Sequence, residues 1–261
     1  MRTIALLTDF GWADTYAGIM KGVILNINPD VNIVDLAHGI HPQDVLQAAV
    51  KLKSASPFFP PKTVFVSIVD PGVGSGRQAI IVKTAKHIFL APDNGLLSLV
   101  LEQEKNFEIY SITNNAFFLK PVSNTFHGRD IFAPVAAHLS KGVEPTQFGP
   151  RVEECVRIKL PVPRIDRRHQ RVEGDVIDID VFGNLITNIE LKHAAFLGET
   201  IAIHVGGKTI NKLSSSYAQV RTGELLAIWG SRGYLEVSVN HGSAREVLGV
   251  PKGEKVVVAA G

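Results

Sequence analysis

The sequence predicts a two-domain α/β protein: a larger, doubly wound N-terminal α/β domain over residues 1–160, a connector at 161–171, and a smaller all-β domain over residues 172–261. Three observations carry this. In the first half, apolar β-branched runs alternate with stretches of helical spacing, the pattern of successive βαβ units in a parallel sheet. A Pro-containing, charged stretch, Pro161-Val-Pro163-Arg-Ile-Asp-Arg167-Arg168-His169, then interrupts the pattern as an interdomain linker does. Beyond Gly174 helical periodicity fades and alternation of period two replaces it (Ile177, Ile179, Val181; Ile201, Ile203, Val205; Leu235, Val237, Val239), which reads as a β-sandwich or barrel.

The elements follow in order. Residues 3–8 form a short apolar strand, followed by a loop from Asp9 to Asp14. Tyr16, Met20, Val23, Ile24 and Ile27 then fall at helical spacing, with Asp14 as N-cap and Asn28-Pro29-Asp30 as the stop. A second strand at 31–36 leads to a Pro-initiated helix from Pro42 to Ser54, and a third strand runs from Thr63 to Val69. Strands at 79–84 and 87–91 pair through a tight turn, Gly95 to Leu101 reads as a helix, and another helix runs from near Asp130 to Leu139, with Pro134 tolerated close to its start.

Composition narrows the function. The chain has 261 residues, 45% of them hydrophobic and 20% charged, ordinary for a folded globular protein. No apolar run reaches the length of a membrane span, and residues 1–9 turn polar too soon for a signal peptide, so a cytoplasmic location is expected. The one cysteine, Cys155, excludes a disulfide framework and a Cys-rich zinc site and reads as packing. A net charge of +2 falls short of the basic excess of a nucleic-acid binder, which leaves small molecules or further copies of the chain as partners.

The chemistry concentrates in loops that follow strands. Val64-Phe-Val-Ser-Ile-Val-Asp70-Pro-Gly72-Val-Gly74-Ser-Gly76-Arg77 ends a buried strand in an aspartate, three glycines and an arginine. The glycines allow positive φ or a close approach, yet their spacing matches neither a P-loop nor a dinucleotide fingerprint. The plain alternative is a solvated turn with Arg77 in water. Ligands of an open parallel sheet bind beyond the carboxyl ends of its strands, which adds Asp9, Asp14, Asp93 and Asn94, with Phe10, Trp12 and Tyr16 supplying aromatic faces. His127, between Phe126 and Gly128 at a helix start, is a candidate functional imidazole. In the second domain Phe182-Gly183-Asn184 and Gly230-Ser231-Arg232-Gly233 are hairpin loops, or else an amide that reads an adenine edge and an arginine fork over a carboxylate. No metal-ligand spacing and no serine-hydrolase elbow are present.

Six motifs in order, Thr8-Asp9-Phe10-Gly11, Asp70-Pro71-Gly72-Val73-Gly74, Ala91-Pro92-Asp93-Asn94-Gly95, Thr125-Phe126-His127-Gly128-Arg129-Asp130, Asp180-Val181-Phe182-Gly183-Asn184 and Ser231-Arg232-Gly233-Tyr234, resemble the S-adenosyl-L-methionine hydroxide adenosyltransferases, relatives of fluorinase and chlorinase. The resemblance implies a C-terminal domain of barrel-like form and a homotrimer with active sites between the N-terminal domain of one subunit and the C-terminal domain of its neighbour. It implies that Asp9 holds ribose hydroxyls, that Asp14, Ser231 and Arg232 hold the methionine amino and carboxylate groups, that Phe182 and Asn184 line the adenine pocket, that Asn94 is among the substrate-binding residues, and that Asp70, Arg77 and His127 position and activate water. The implied reaction is displacement at the 5′ carbon of S-adenosylmethionine, yielding adenosine and L-methionine, with no cofactor or metal because S-adenosylmethionine is the substrate. Gly128 stands where the halogenases present a serine, and the Arg77–Pro92 segment is too short for their insertion. The rival readings are a halogenase, a non-catalytic sensor of S-adenosylmethionine or adenosine, and an RNA-binding β domain using the 164–171 cluster.

Overall fold

The computed structural model describes residues 2–198 and 200–261. The chain divides into two compact units, the first ending at Lys159 and the second running from Leu160 to Gly261.

The first unit is built on a seven-stranded sheet among the described residues, with the order β2-β1-β3-β5-β4-β6-β7. These strands are β1 (Thr3–Thr8), β2 (Asn32–Ala37), β3 (Val64–Ile68), β4 (Ala79–Thr84), β5 (Ile88–Pro92), β6 (Phe107–Ser111) and β7 (Arg151–Val152). Alternation along β1 feeds two cores. Ile4 and Leu6 pack on the face covered by α1 (Tyr16–Ile27) and α4 (Ala133–Ser140), together with Met20, Ile24 and Val135. Ala5 and Leu7 pack on the other face under α2 (Val45–Ala55) and α3 (Ser98–Leu101), with Ala48, Leu52 and Val100. Helices on both faces make this half doubly wound, but the sheet is mixed and not wholly parallel as expected. Strands β2, β1, β3 and β5 are parallel, whereas β4 and β6 pair antiparallel with their neighbours. The tight turn that joins β4 to β5 forces this reversal, because parallel neighbours need a long crossover.

Several boundaries differ from the sequence reading. Thr15 and not Asp14 is the N-cap of α1, and it makes no side-chain cap bond. Helix α2 begins after Pro42, where Asp44 accepts from the Gln47 N–H at 2.9 Å. Helix α3 is four residues long, because Asn94 and Gly95 form a turn in which Gly95 has φ +93°. A π-helical turn at Gly128–Phe132 precedes α4, which keeps Pro134 within the first turn of that helix. Strands β6 and β7 fall in stretches to which the sequence pattern assigns no element.

The second unit curls an eight-stranded sheet, counted among the described residues, in the order β12-β11-β15-β9-β10-β14-β13, with β8 also paired to β9. Its strands are β8 (Arg164–Asp166), β9 (Arg171–Ile179), β10 (Leu185–Glu190), β11 (Ile201–Val205), β12 (Lys208–Ile210), β13 (Leu225–Trp229), β14 (Tyr234–Val239) and β15 (Lys255–Ala260). A bridge between Leu213 and Ala227 brings the β12 edge to β13, so the sheet nearly closes on itself around Val176, Leu185, Ile203, Val237 and Val258. Two short helices, α5 (Leu191–Ala194) and α6 (Ala244–Leu248), cover it. The 161–171 stretch read as a connector contains β8, which forms a hairpin with β9. Val181, expected in a strand, lies past the end of β9 and is 92% exposed.

Candidate active site

In the first unit, β1 is followed by β2 on one side and by β3 on the other, so the sheet order reverses between β1 and β3, the place where open α/β sheets bind ligands. Thr8 is in register with Ile68, which sets Asp9 and Asp70 just beyond the carboxyl ends of adjacent strands. A cavity of about 480 Å³ opens there, lined by both aspartates and by Phe10, Tyr16, Phe126 and His127 among others.

The glycine loop after β3 curls back on itself. Ser75 donates from its N–H to the Gly72 carbonyl at 3.0 Å, and Gly74 takes φ +77°, where a Cβ would lie 2.4 Å from the Asn124 carbonyl. The chain therefore returns with Arg77 lying against Asp70. Arg77 Nε donates to Asp70 Oδ1 at 2.9 Å and Nη2 donates to Oδ2, a two-pronged pair in which the Arg77 and Asp70 side chains are only 11% and 7% exposed. Arg77 is not the solvated arginine of the plain reading. The same Nη2 lies 2.9 Å from His127 Nδ1. A guanidinium only donates, so Nδ1 is the acceptor and the His127 proton sits on Nε2. Burial, and next the charge of Arg77, push the His127 pKa below its ordinary value, which keeps the ring neutral.

The other wall is aromatic. Phe126 meets Phe10 and Tyr16 edge-on at 5.9 and 5.1 Å between ring centroids. Asp9 Oδ2 accepts from the backbone N–H of Gln43 at 2.8 Å, holding that residue at φ +66°. The loop that carries Asp9 is clamped from below by fully buried His38: its Nδ1 meets the Thr8 hydroxyl at 2.7 Å, its carbonyl accepts from the Gly11 N–H at 2.8 Å, and its Nε2 lies 2.9 Å from Asp35 Oδ1. Asn94 acts as a brace. Its Nδ2 donates to the Val69 carbonyl at 2.8 Å, tying the end of β5 to the residue before Asp70.

The second unit has a cavity of its own, of about 470 Å³, lined by Phe182, Asn184, Ser231, Arg232, Tyr217 and Glu236 among others. Its floor is the turn after β9, where Asp180 Oδ1 accepts from the N–H groups of Phe182 and Asn184, both at 2.9 Å, and Oδ2 accepts from Asn184 Nδ2 at 3.0 Å. Gly183 has φ +81° and a Cβ there would lie 2.1 Å from Ser243 Oγ, so only glycine lets this turn pack. Phe182 is left 73% exposed. Arg232 Nη1 donates to fully buried Asp178 at 3.0 Å.

Two family models match the chain: the SAM hydroxide adenosyltransferase N-terminal domain over residues 4–149 and the corresponding C-terminal domain over residues 174–257. The chain belongs to the SAM hydroxide adenosyltransferase family. Among its relatives, the (R)-S-adenosyl-L-methionine hydrolase of Thermus thermophilus is 37% identical over 98% of this chain and 99% of its own. A fluorinase of Nocardia brasiliensis is more distant, at 28% identity over 99% of this chain and 97% of its own. A crystal structure described as an uncharacterized conserved protein from Thermotoga maritima superposes with a TM-score of 0.90 at 41% identity, covering 98% of this chain and 99% of that one.

In this SAM hydroxide adenosyltransferase, Asp9, Asp70 and His127 share the first cavity, with Arg77 bonded to the latter two. Phe182, Asn184, Ser231 and Arg232 share the second. Asp14 is exposed and lines a separate groove with Gly11, Trp12 and Lys21, and Asn94 is among the lining residues of neither cavity. Gln43, Tyr217 and Glu236 were missed. Gln43 and Tyr217 sit on irregular segments, and Glu236 falls on the outward phase of a strand, which reads as solvated until the structure shows it 7% exposed. Cys155 is half-buried against the core under α2 and α3, and burial pushes its thiol pKa up, in keeping with packing.

Proposed function

We propose that this chain hydrolyses S-adenosyl-L-methionine, in the (R) configuration for which its relatives are named, to adenosine and L-methionine. Water attacks the 5′ carbon in line. The new O–C5′ bond forms as the C5′–S bond breaks, and the electron pair leaves with sulfur, converting the sulfonium to a neutral thioether. No acid is required for that leaving group, and the water proton is the one left to place.

The observation that carries this reading is the buried Asp70–Arg77–His127 network at the rim of the first cavity. With its proton on Nε2, His127 is a donor that can hold the water oxygen and not a base for it. Asp70 uses one lone pair of each oxygen on Arg77 and keeps others, so the proton goes toward Asp70. Arg77 stabilises the hydroxide character that develops. Holding the nucleophile in attack geometry supplies up to roughly 7–11 kcal/mol, more than the 10²- to 10⁴-fold typical of general-base help. Asp9 is placed to bind ribose hydroxyls, while Phe182 with Asn184 takes adenine and Arg232 with Ser231 takes the methionine carboxylate. We place the working site where the first unit of one subunit meets the second unit of its neighbour in a homotrimer, which explains why the polar residues divide between two cavities.

Against halide chemistry, Gly128 stands where the halogenases present a serine, and a Cβ there would lie 3.0 Å from the Phe126 ring and 3.2 Å from Met20 Sδ, so a serine would need those side chains to shift by a few tenths of an ångström. The test is incubation with S-adenosylmethionine in ¹⁸O-labelled water, with and without chloride or fluoride. Adenosine labelled at the 5′ oxygen, released with methionine regardless of halide, is the expected result. Tight binding without turnover would replace the reading by a sensor.

A further inference from the structure

Strand β14 alternates sharply. Leu235, Val237 and Val239 enter the core of the second unit, and Glu236 points away from it into that unit's cavity. Glu236 is nevertheless only 7% exposed. Its partners among the described residues are two hydroxyls, Tyr217 Oη at 2.6 Å and Ser238 Oγ at 2.9 Å, and both donate to Oε1. The bond to the carboxylate is the first cause that pushes the Tyr217 pKa up to about 12. Oε2 lies over Gly230, where a Cβ would come within 2.7 Å. Gly230 does not have a positive φ, so what the glycine provides is room for this oxygen.

The neighbouring carboxylates are compensated differently. Asp180 collects three amide N–H groups and Asp178 has the Arg232 guanidinium. Glu236 makes no ion pair among the described residues, and a carboxylate this far from solvent is costly to leave without a compensating charge. The cavity of the single chain therefore lacks one positive charge, which a cationic group of the ligand would supply.

We propose that Glu236 receives the α-ammonium group of the substrate, so that Glu236 and Arg232 together read a zwitterionic amino-acid head group and make it a condition of binding. This rests on the reading of the chain as an S-adenosylmethionine hydrolase. The substrate has two cationic centres, and differential binding decides between them. A carboxylate beside the sulfonium would stabilise a charge that disappears in the transition state and would slow the reaction. A carboxylate beside the ammonium holds a charge that persists, strengthening binding without opposing the chemical step.

Glu236→Gln separates these cases. The expected result is a KM raised roughly 10- to 100-fold with kcat nearly unchanged, the signature of lost uniform binding. The variant should also be indifferent to removal of the α-amino group from S-adenosylmethionine, a change that raises KM for the unaltered protein. A rise in kcat would place Glu236 at the sulfonium and overturn the proposal, as would a variant that still discriminates against the desamino substrate. Calorimetry on the unaltered protein needs neither turnover nor a folded variant. L-Methionine should bind at least tenfold more tightly than 4-(methylthio)butanoate, which lacks only the amine, and equal affinities would overturn the proposal. Failure of the parent reading appears separately, as S-adenosylmethionine left intact by the unaltered protein.

Discussion

Arg77 joins Asp70 and His127 through a planar fork whose prongs lie in fixed directions, and lysine cannot reproduce them. Arg77→Lys keeps the charge and loses the geometry. Steady-state kinetics should show kcat falling by about 10²-fold with little change in KM, as for removal of a group that acts in the transition state. In the proposed mechanism His127 sets the acid limit. Protonating Nδ1 would turn its contact with Arg77 Nη2 into two donors facing each other, and its lowered pKa delays that event. A kcat profile should stay flat as pH falls through 6.5 and decline only below it. His87 carries the corresponding effect on stability. It is 4% exposed, its two ring nitrogens have no hydrogen-bond partner, and burial lowers its pKa. Because the folded value lies below the ordinary 6.5, the unfolded chain takes up the proton first as pH falls. The stability present above 6.5 is therefore lost as pH drops through that value toward the folded pKa. His87→Leu should raise the midpoint of thermal unfolding more at pH 5.5 than at pH 8; an equal shift at both would show that His87 does not contribute to the acid sensitivity.

At the scale of elements, β3 and its loop do two jobs. The strand is a core element: Phe65 is fully buried, stacked on Phe89 at 5.0 Å and edge-on to Phe59 at 5.1 Å. Phe65→Ala should cost about 3–5 kcal/mol in denaturant unfolding. The loop is a positioning device, and Gly74 is where its fit is closest. Alanine at 74 would be strained at φ +77° and would push against the Asn124 carbonyl, three residues before His127. We expect Gly74→Ala to lose about 1–3 kcal/mol of stability and a larger share of activity, because the displaced loop separates Arg77 from His127. Normal kcat in a destabilised but folded variant would show that the close approach serves packing alone. Strand β14 has the same double character, one phase in the core and the other presenting Glu236.

At the scale of the whole molecule, the proposed roles divide between the two cavities, water handling in one unit and adenine and amino-acid contacts in the other. The proposed trimer gives a mixing experiment. Asp70→Asn subunits have a defective first cavity and Arg232→Ala subunits a defective second, and each homotrimer should be nearly inactive. In trimers reassembled from both, sites that join the sound halves should recover about a quarter of full activity, as random assembly of a cyclic, heterologous interface dictates. Recovery no greater than the sum of the two parents would mean that each site is completed within one subunit, and light scattering on the same samples would report the trimer itself.

Much of this was legible in the chain. The strand ends at Asp9 and Asp70, the change of texture near residue 161 and the Gly-rich loop before Arg77 are local signals, because strand periodicity and turn chemistry act over a few residues. Motif order was enough to indicate the family. What the chain did not disclose depends on contacts distant in sequence. The Arg77–His127 bond spans 50 positions and settles the tautomer, and the antiparallel insertion of β4 and β6 makes the sheet mixed. Asp14, plausible as a cap or contact, stays exposed on its own groove, while Asn94 is taken up as a brace for Val69. Glu236, which looks solvated by alternation alone, is enclosed by Tyr217 and Gly230 from other segments. Periodicity thus determined which residues turn away from a core, and only tertiary packing decided whether water or a ligand cavity waits on the other side.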